Sequence, residues 1–484
     1  MHKKSSDTVG EFFSAYIWLK VCKSNVFENN MDALLRAGIP ERRHIYVSKL
    51  TSTSIVLLNK DELESLKTDE RFEDWSYYEF DEAERQEDDL LLTQIGADSE
   101  IGTNSPYFNG GMGYMGKGVK VGVISAENLI FNENALSLKG TAIEVLPSFL
   151  PPVRDSHPTA VVSQIAGQKV FEDGKTFFGV VRDASVVFSP SKTARNVYTA
   201  IEEMIQKGVK IINYSAGTVK GGYSDFDRQI DRLISAGNIL FITVSGNKRD
   251  MTSPGRAENA IAVGNLATKS YPDIPLPSPW EVWCKSEDNC SGFSDDGVHK
   301  PDLVAPGAWV GYVESEGDVN FNNFGTSFAC PWVSGIAAAV VEVLGDKYTY
   351  LTLKAILLMS CNTIAVSNTG NPKISEYVRL RSGYGLVDGI HCVEIAEKSE
   401  IYESTLNGEY NVEISGGCLE IMLAFEKNGD GVTIVVDGES FPTGKENTLL
   451  VKKHSNKETL PLSVVGIGGG KFSLVIFRSD LSCS

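Results

Sequence analysis

Phe324 to Gly335 reads FGTSFACPWVSG. A glycine, a threonine and a serine stand immediately before a run, Ile336 to Val343, that is apolar almost all round and needs burial on most sides. That combination predicts a core helix with one hydroxyl, Ser327, held at its start. Gly325 permits a tight turn and close backbone approach. A buried helix start also directs unsatisfied N–H groups toward a developing oxyanion, which makes Ser327 the candidate nucleophile. The same residues would serve equally as a Gly-Thr-Ser turn capping a core helix, so the rest of the chain has to decide.

Acyl transfer by serine needs a neighbouring base, and six histidines compete for the post: His2, His44, His157, His299, His391 and His454. His157 precedes Pro-Thr-Ala-Val-Val, so it opens a helix whose apolar face packs on a sheet while the ring faces a cleft. Asn247 follows the apolar run FITVSG, where a strand end holds an amide toward the same cleft; as a bland alternative it is a turn residue.

The chain has 484 residues, 42% hydrophobic and 22% charged, a soluble globular composition with room for two or three domains. Lys+Arg 45 against Asp+Glu 63 gives a net charge of −18, which disfavours nucleic acid as a partner. No signal-peptide pattern and no run of eighteen apolar residues is present, so no membrane association is expected. Eight cysteines are scattered, several inside apolar segments, and a reducing cytoplasm is the simplest home. Cys284 and Cys290 flank a polar loop and read as a disulfide or a metal half-site, but no metal-ligand spacing accompanies them, and neither a metal nor a cofactor is expected.

Residues 10–82 read as a small α+β unit: strand AYIWLKV (15–21), a helix ending at Gly38, strands HIYVSKL and SIVLLNK, a helix from Asp61 and a tail WSYYEFD. The acidic stretch DEAERQEDD (81–89) marks a boundary, and 83–115 form a linker and the start of the next unit. From 116 to 398, apolar runs VKVGVIS, SVVFS, VKIINYS and NILFITVSG alternate with helical segments, predicting a doubly wound parallel sheet with its site at the strands' carboxyl ends. Residues 399–484 show short apolar runs between Gly/Asn/Asp turns and predict a β-sandwich.

Over residues 116–395 the chain resembles the subtilisin-like serine proteases, the subtilases. GKGVKVGVIS resembles the strand that ends in the triad aspartate, HPTAVVSQIAG the histidine segment, and VKIINYSAG the substrate-binding strand. VSGN with SPGRAENAIAVG resembles the oxyanion asparagine and its sequel, FSDDGVHKPDLVAPG the loop before the nucleophile, and FGTSFACPWVSG the serine signature. The leading α+β unit resembles the family's inhibitory propeptide. The resemblance implies a serine endopeptidase made as a self-processing zymogen, with its own propeptide as intramolecular inhibitor and peptides or proteins as substrates. By position, Ser327 attacks, His157 moves the proton and Asn247 donates to the oxyanion. Ser215, Ala216 and Gly217 line an extended peptide, and Asp155 edges the groove.

One position departs from the pattern. Ser125 stands where the family has its aspartate, and Ala126 and Glu127 follow. Losing that carboxylate costs roughly 10⁴ in kcat. Three explanations stand open: Ser125 orients the imidazole through a neutral hydrogen bond, Glu127 reaches it from a rearranged turn, or the enzyme is slow by design. Glu127 is preferred because a carboxylate supplies charge as well as direction. Pro158 and Ala160 also replace a glycine and a second histidine of the pattern. The rival from another class is a pseudoprotease that binds peptides in its groove.

Overall fold

The computed structural model describes residues 12–20, 25–78, 112–148, 150–172, 175–219, 222–247, 251–266, 292–293, 297–313, 319–345, 348–362, 381–426, 431–466 and 470–479. The acidic segment 81–89, Cys22, and the insertion 269–290 with Trp280, Trp283, Cys284 and Cys290 lie outside them.

The N-terminal unit runs Phe13–Leu19 (β1), Val26–Arg36 (α1), His44–Val47 (β2), Thr53–Leu58 (β3), Lys60–Lys67 (α2) and Phe72–Tyr77 (β4), an antiparallel sheet in the order β2-β3-β1-β4. Alternation along β1 sorts its side chains. Ala15, Ile17 and Leu19 meet Leu34, Leu63 and Leu66 of the two helices, whereas Tyr16 and Trp18 turn the other way and join the core of the large domain. The expected tail is thus a fourth strand, because its residues complete the edge of β1.

The central domain holds a seven-stranded parallel sheet. Its strands are Lys120–Ser125 (β5), Ile143–Val145 (β6), Ser185–Pro190 (β7), Ile211–Tyr214 (β8), Leu240–Val244 (β9), Ile261–Leu266 (β10) and Leu303–Pro306 (β11). They lie in the order β11-β10-β9-β8-β5-β7-β6, with every pairing parallel. The order reverses around β5, so its carboxyl end, Ser125, sits where such sheets bind ligands. Ser156–Ala166 (α3) packs against Thr326–Leu344 (α6), which crosses β8 to β11, while Ala194–Gln206 (α4) packs on β5 and on Asp225–Gly237 (α5). Thr326 to Val341 are buried without exception. By length and composition α6 could cross a membrane, and 83% of that apolar window is instead buried inside the protein, which accounts for its lack of a polar face.

The sheet of the N-terminal unit docks on α4 and α5. Trp18 lies under the guanidinium groups of Arg228 and Arg232, 4.4 and 4.6 Å from their carbons, and Glu73 and Asp74 pair with the same arginines. Glu202 of α4 is buried at this junction and accepts from the Tyr46 hydroxyl at 2.7 Å, the Ser48 hydroxyl at 2.5 Å and the Lys49 N–H at 3.1 Å. Burial pushes its carboxyl up from the ordinary value of 4.5, against those hydrogen bonds. The docked state therefore binds the proton more tightly than one in which Glu202 faces water. Its contribution to stability is complete below about pH 4.5 and is lost as pH rises through the raised value. The thermal midpoint of the full chain is expected to fall from pH 4.5 upward by less in Glu202→Gln than in wild type; parallel pH curves would remove Glu202 as the cause.

Six antiparallel strands close the chain: Glu400–Thr405 (β12), Gly408–Phe425 (β13), Thr433–Val436 (β14), Glu439–Pro442 (β15), Thr448–Gly466 (β16) and Lys471–Ser479 (β17), in the order β12-β17-β13-β16-β14-β15. Sequence reading expected two packed sheets; hydrogen bonding joins all six strands in one. The pairing of β13 with β16 is broken by a bulge between Ser415 and Gly417, and the halves on either side feed one core. Ile414, Leu462 and Ile434 come from one half, and Leu419, Leu423 and Leu474 from the other. Met422, Ala424, Val475 and Phe477 face away and join the central core, where the strands cover Tyr350–Met359 (α7). Among the described cysteines Cys330, Cys361 and Cys392 are free thiols, while Cys418 is disulfide-bonded.

Candidate active site

Ser327 is the second residue of α6 and is 6% exposed. The turn before it exists only as glycine: Gly325 has φ +124°, and a Cβ there would stand 2.8 Å from the side-chain nitrogen of Asn247. Asn247 arrives from the end of β9. Its Oδ1 accepts both the backbone N–H of Thr326 at 2.8 Å and the Thr326 hydroxyl at 2.7 Å. With that oxygen fixed, the donor half of the amide has a set direction beside the nucleophile.

His157 is the second residue of α3. The carboxylate of Asp155 caps that helix by accepting the His157 N–H at 2.7 Å. The imidazole is half-buried, and its centroid lies 5.3 Å from the ring of Phe328, the residue after Ser327. The fold thus brings Ser327, His157 and Asn247 to one place from three separate elements. The Ser327 hydroxyl makes no hydrogen bond to another described residue; catalytic hydrogen bonds are often long or poorly aligned without a bound ligand and tighten when one is in place.

The two candidates for the missing acid are placed differently. Ser125 closes β5 with its side chain buried, and its hydroxyl donates to the Ala126 carbonyl across a long 3.5 Å. Its own carbonyl accepts the Ser191 N–H at 2.8 Å. Glu127 is exposed, in left-handed backbone with φ +53°, and makes no hydrogen bond among the described residues. Asn128, also left-handed at φ +58°, turns inward instead, donating to the carbonyls of Leu150 and Pro151 and accepting from the Ser148 hydroxyl. Asn128 thus pins the loop that leads to His157, a role that sequence reading missed because its partners lie twenty or more residues away.

Ser215, Ala216 and Gly217 continue from β8 and are buried. Ser334 of α6 donates to Asn213 at 3.0 Å and Asn213 to the Ser215 hydroxyl at 2.9 Å, so the expected substrate strand is tied to the nucleophile's own helix. Next to the Ser125 end of β5 opens a cavity of about 410 Å³, lined by Val145, Leu146, Ser148, Leu150, Pro151, Pro152 and Pro190; Pro190 is the register partner of Ser125. Among the described residues no three His, Cys, Asp or Glu side chains gather as a metal site.

The sequence profile described as "Subtilase family" matches residues 98–385, more than half of the chain. The protein belongs to the subtilase family. No individually curated protein matches it. Among solved structures, this subtilase is similar to fervidolysin from Fervidobacterium pennivorans, a keratinolytic enzyme related to subtilisin, at 13% identity over 96% of this chain and 92% of that one with a TM-score of 0.53. It is also similar to the epidermin leader peptide processing serine protease of Staphylococcus aureus, at 14% identity over 80% of this chain and 100% of that one with a TM-score of 0.53. The prenylagaramide maturation protease PagA is 22% identical over 57% of this chain and 93% of that one, with a TM-score of 0.43. At these identities the first two likenesses speak to fold. For this subtilase they give a subtilisin-like parallel sheet flanked by helices, with antiparallel sheets at both ends of the chain.

Proposed function

We propose that this subtilase is a serine endopeptidase made as a zymogen, which processes itself in or near Asp81–Ala97 and then cuts a restricted set of peptides in the cell that makes it. The observation that carries the reading is the convergence at Ser327. Thr326 on one side of it is bonded to Asn247, and Phe328 on the other packs against His157. In this reading Ser327 attacks the scissile carbonyl, and His157 takes the proton and returns it to the leaving amine. Asn247 donates to the tetrahedral oxyanion, and the substrate extends beside Ser215 to Gly217. The apolar walls of the cavity at Leu150 and Pro190 suit an apolar substrate side chain.

Two further observations support the finer parts. The N-terminal unit clasps α4 and α5 through Trp18, Glu73 and the buried Glu202, as an intramolecular inhibitor must be held. The epidermin leader peptide processing protease shares the fold, which makes removal of a leader from a peptide the natural substrate class to test. Ser125 favours the second reading, a pseudoprotease that uses the groove for binding. Purified protein treated with a fluorophosphonate separates the two. A single phosphonyl adduct on Ser327, in a chain that has lost its N-terminal unit while Ser327→Ala stays full length, is the expected result. An unlabelled, full-length wild type would overturn catalysis and leave the binding reading.

A further inference from the structure

We infer that Gln164 is a positioning residue for the Ser327–His157 pair, an inference that rests on the protease reading above. Gln164 lies two turns along α3 from His157 and is 1% exposed. Its Nε2 donates at 2.9 Å to the main-chain carbonyl of Phe328, in the first turn of α6. Phe328 follows the nucleophile and packs its ring on the imidazole, so a single hydrogen bond joins the base's helix to the residue that is next to Ser327 in the chain and in ring contact with His157.

That turn needs outside support. Pro331 inside α6 has no N–H, so the carbonyl of Ser327 lacks its i+4 partner and the helix is loosened at the nucleophile. The next carbonyl, that of Phe328, is the one Gln164 holds. One turn further on, the Ser334 to Asn213 bond fixes α6 to β8. Without the strut of Gln164 the nucleophile's turn would keep its ties to Asn247 and, through the Gly325 N–H, to the Gly307 carbonyl at 2.8 Å, but would lose its tie to the helix of the base.

Packing does not explain an amide at this position. Val161, Val162 and Ile165 surround it on α3 with no exposure above 2%, and Gln164 Oε1 has no partner among the described residues. A buried acceptor left unsatisfied is costly, and an apolar residue of similar volume would remove that cost. What the amide adds is direction: one donor aimed at one carbonyl. A displacement of about 1 Å in such a pair costs roughly 10²-fold in rate.

The test compares wild type with Gln164→Leu, which keeps size and removes the donor, and with Gln164→Glu, which keeps shape and loses the donor when ionised. Peptide hydrolysis, the rate of fluorophosphonate labelling and the His157 Cε1–H resonance are measured on each. That resonance is shifted by the Phe328 ring and needs no activity to be read; a His157→Gln spectrum assigns it. In folded Gln164→Leu kcat and labelling are expected to fall about 10- to 100-fold with KM within about twofold, and the resonance to move; Gln164→Glu is expected to follow it at pH where its carboxyl is ionised and to keep wild-type behaviour where the acid is protonated and still donates to the Phe328 carbonyl. Unchanged labelling together with an unmoved resonance overturns the inference. A wild type that does not label while the resonance still moves in the variants sinks the protease reading and leaves the positioning contact standing.

Discussion

Replacing Ser125 by aspartate is expected to raise the turnover of a peptide substrate by two to four decades. Ser125 ends an inner strand of the parallel sheet with its side chain buried, and among the described residues its hydroxyl has only a 3.5 Å contact with the Ala126 carbonyl to give up. A carboxylate there would fix the imidazole tautomer and stabilise the imidazolium that forms as the proton leaves Ser327. In a complete triad that service is worth roughly 10⁴ in kcat, about 5 kcal/mol. Burial raises the pKa of the introduced acid, so the gain should appear at pH 8 and fade on acidification as the carboxylate is protonated. Glu127→Gln is the companion measurement. The exposure of Glu127 and its lack of hydrogen bonds among the described residues predict a rate within about threefold of wild type, against the 10⁴ at stake for a true triad acid. A hundredfold loss in Glu127→Gln, or no gain in Ser125→Asp, would return the role to the glutamate.

The contrast between those two residues shows where sequence stops informing. Ser125 and Glu127 are equally near the family's aspartate position; the left-handed backbone at Glu127 and Asn128 decides which one turns inward, and nothing in the letters SAEN specifies it. The inner strands were legible because burial on both faces makes each a continuous apolar run, as in VKVGVIS and NILFITVSG. Edge strand β6, with Glu144 between Ile143 and Val145, carries no such run and escaped notice. In the C-terminal sheet GCLEIMLAF is an apolar run of the kind that marks a strand, but β13 begins nine residues earlier, in GEYNVEISG, most of which faces solvent and is held by pairing with β16 rather than by its own apolarity. Ser327, His157 and Asn247 could be placed by motif. Their supports, Thr326 on Asn247 and Gln164 on Phe328, join residues 79 and 164 positions apart and become visible only in the folded chain.

Asn247→Asp should cost at least two to three decades in kcat while leaving KM and the fold nearly unchanged. The substitution keeps an oxygen for the two bonds from Thr326, at 2.8 and 2.7 Å, so the turn at Gly325 and the placement of Ser327 are preserved. What it removes is the amide donor, and it puts a second oxygen where negative charge has to accumulate on the substrate. Deleting one oxyanion donor lowers kcat by roughly 10²–10³, and a carboxylate adds repulsion to that loss. Because the charge develops only in the transition state, the penalty falls on kcat rather than on substrate binding. Asn247→Leu separates the two functions of the side chain, since it loses the hold on Thr326 as well and should lower thermal stability in addition to rate. If Asn247→Asp hydrolysed peptide at the wild-type rate, the oxyanion would have to be held by backbone N–H groups alone, and Asn247 would be left as the brace of the nucleophile's turn.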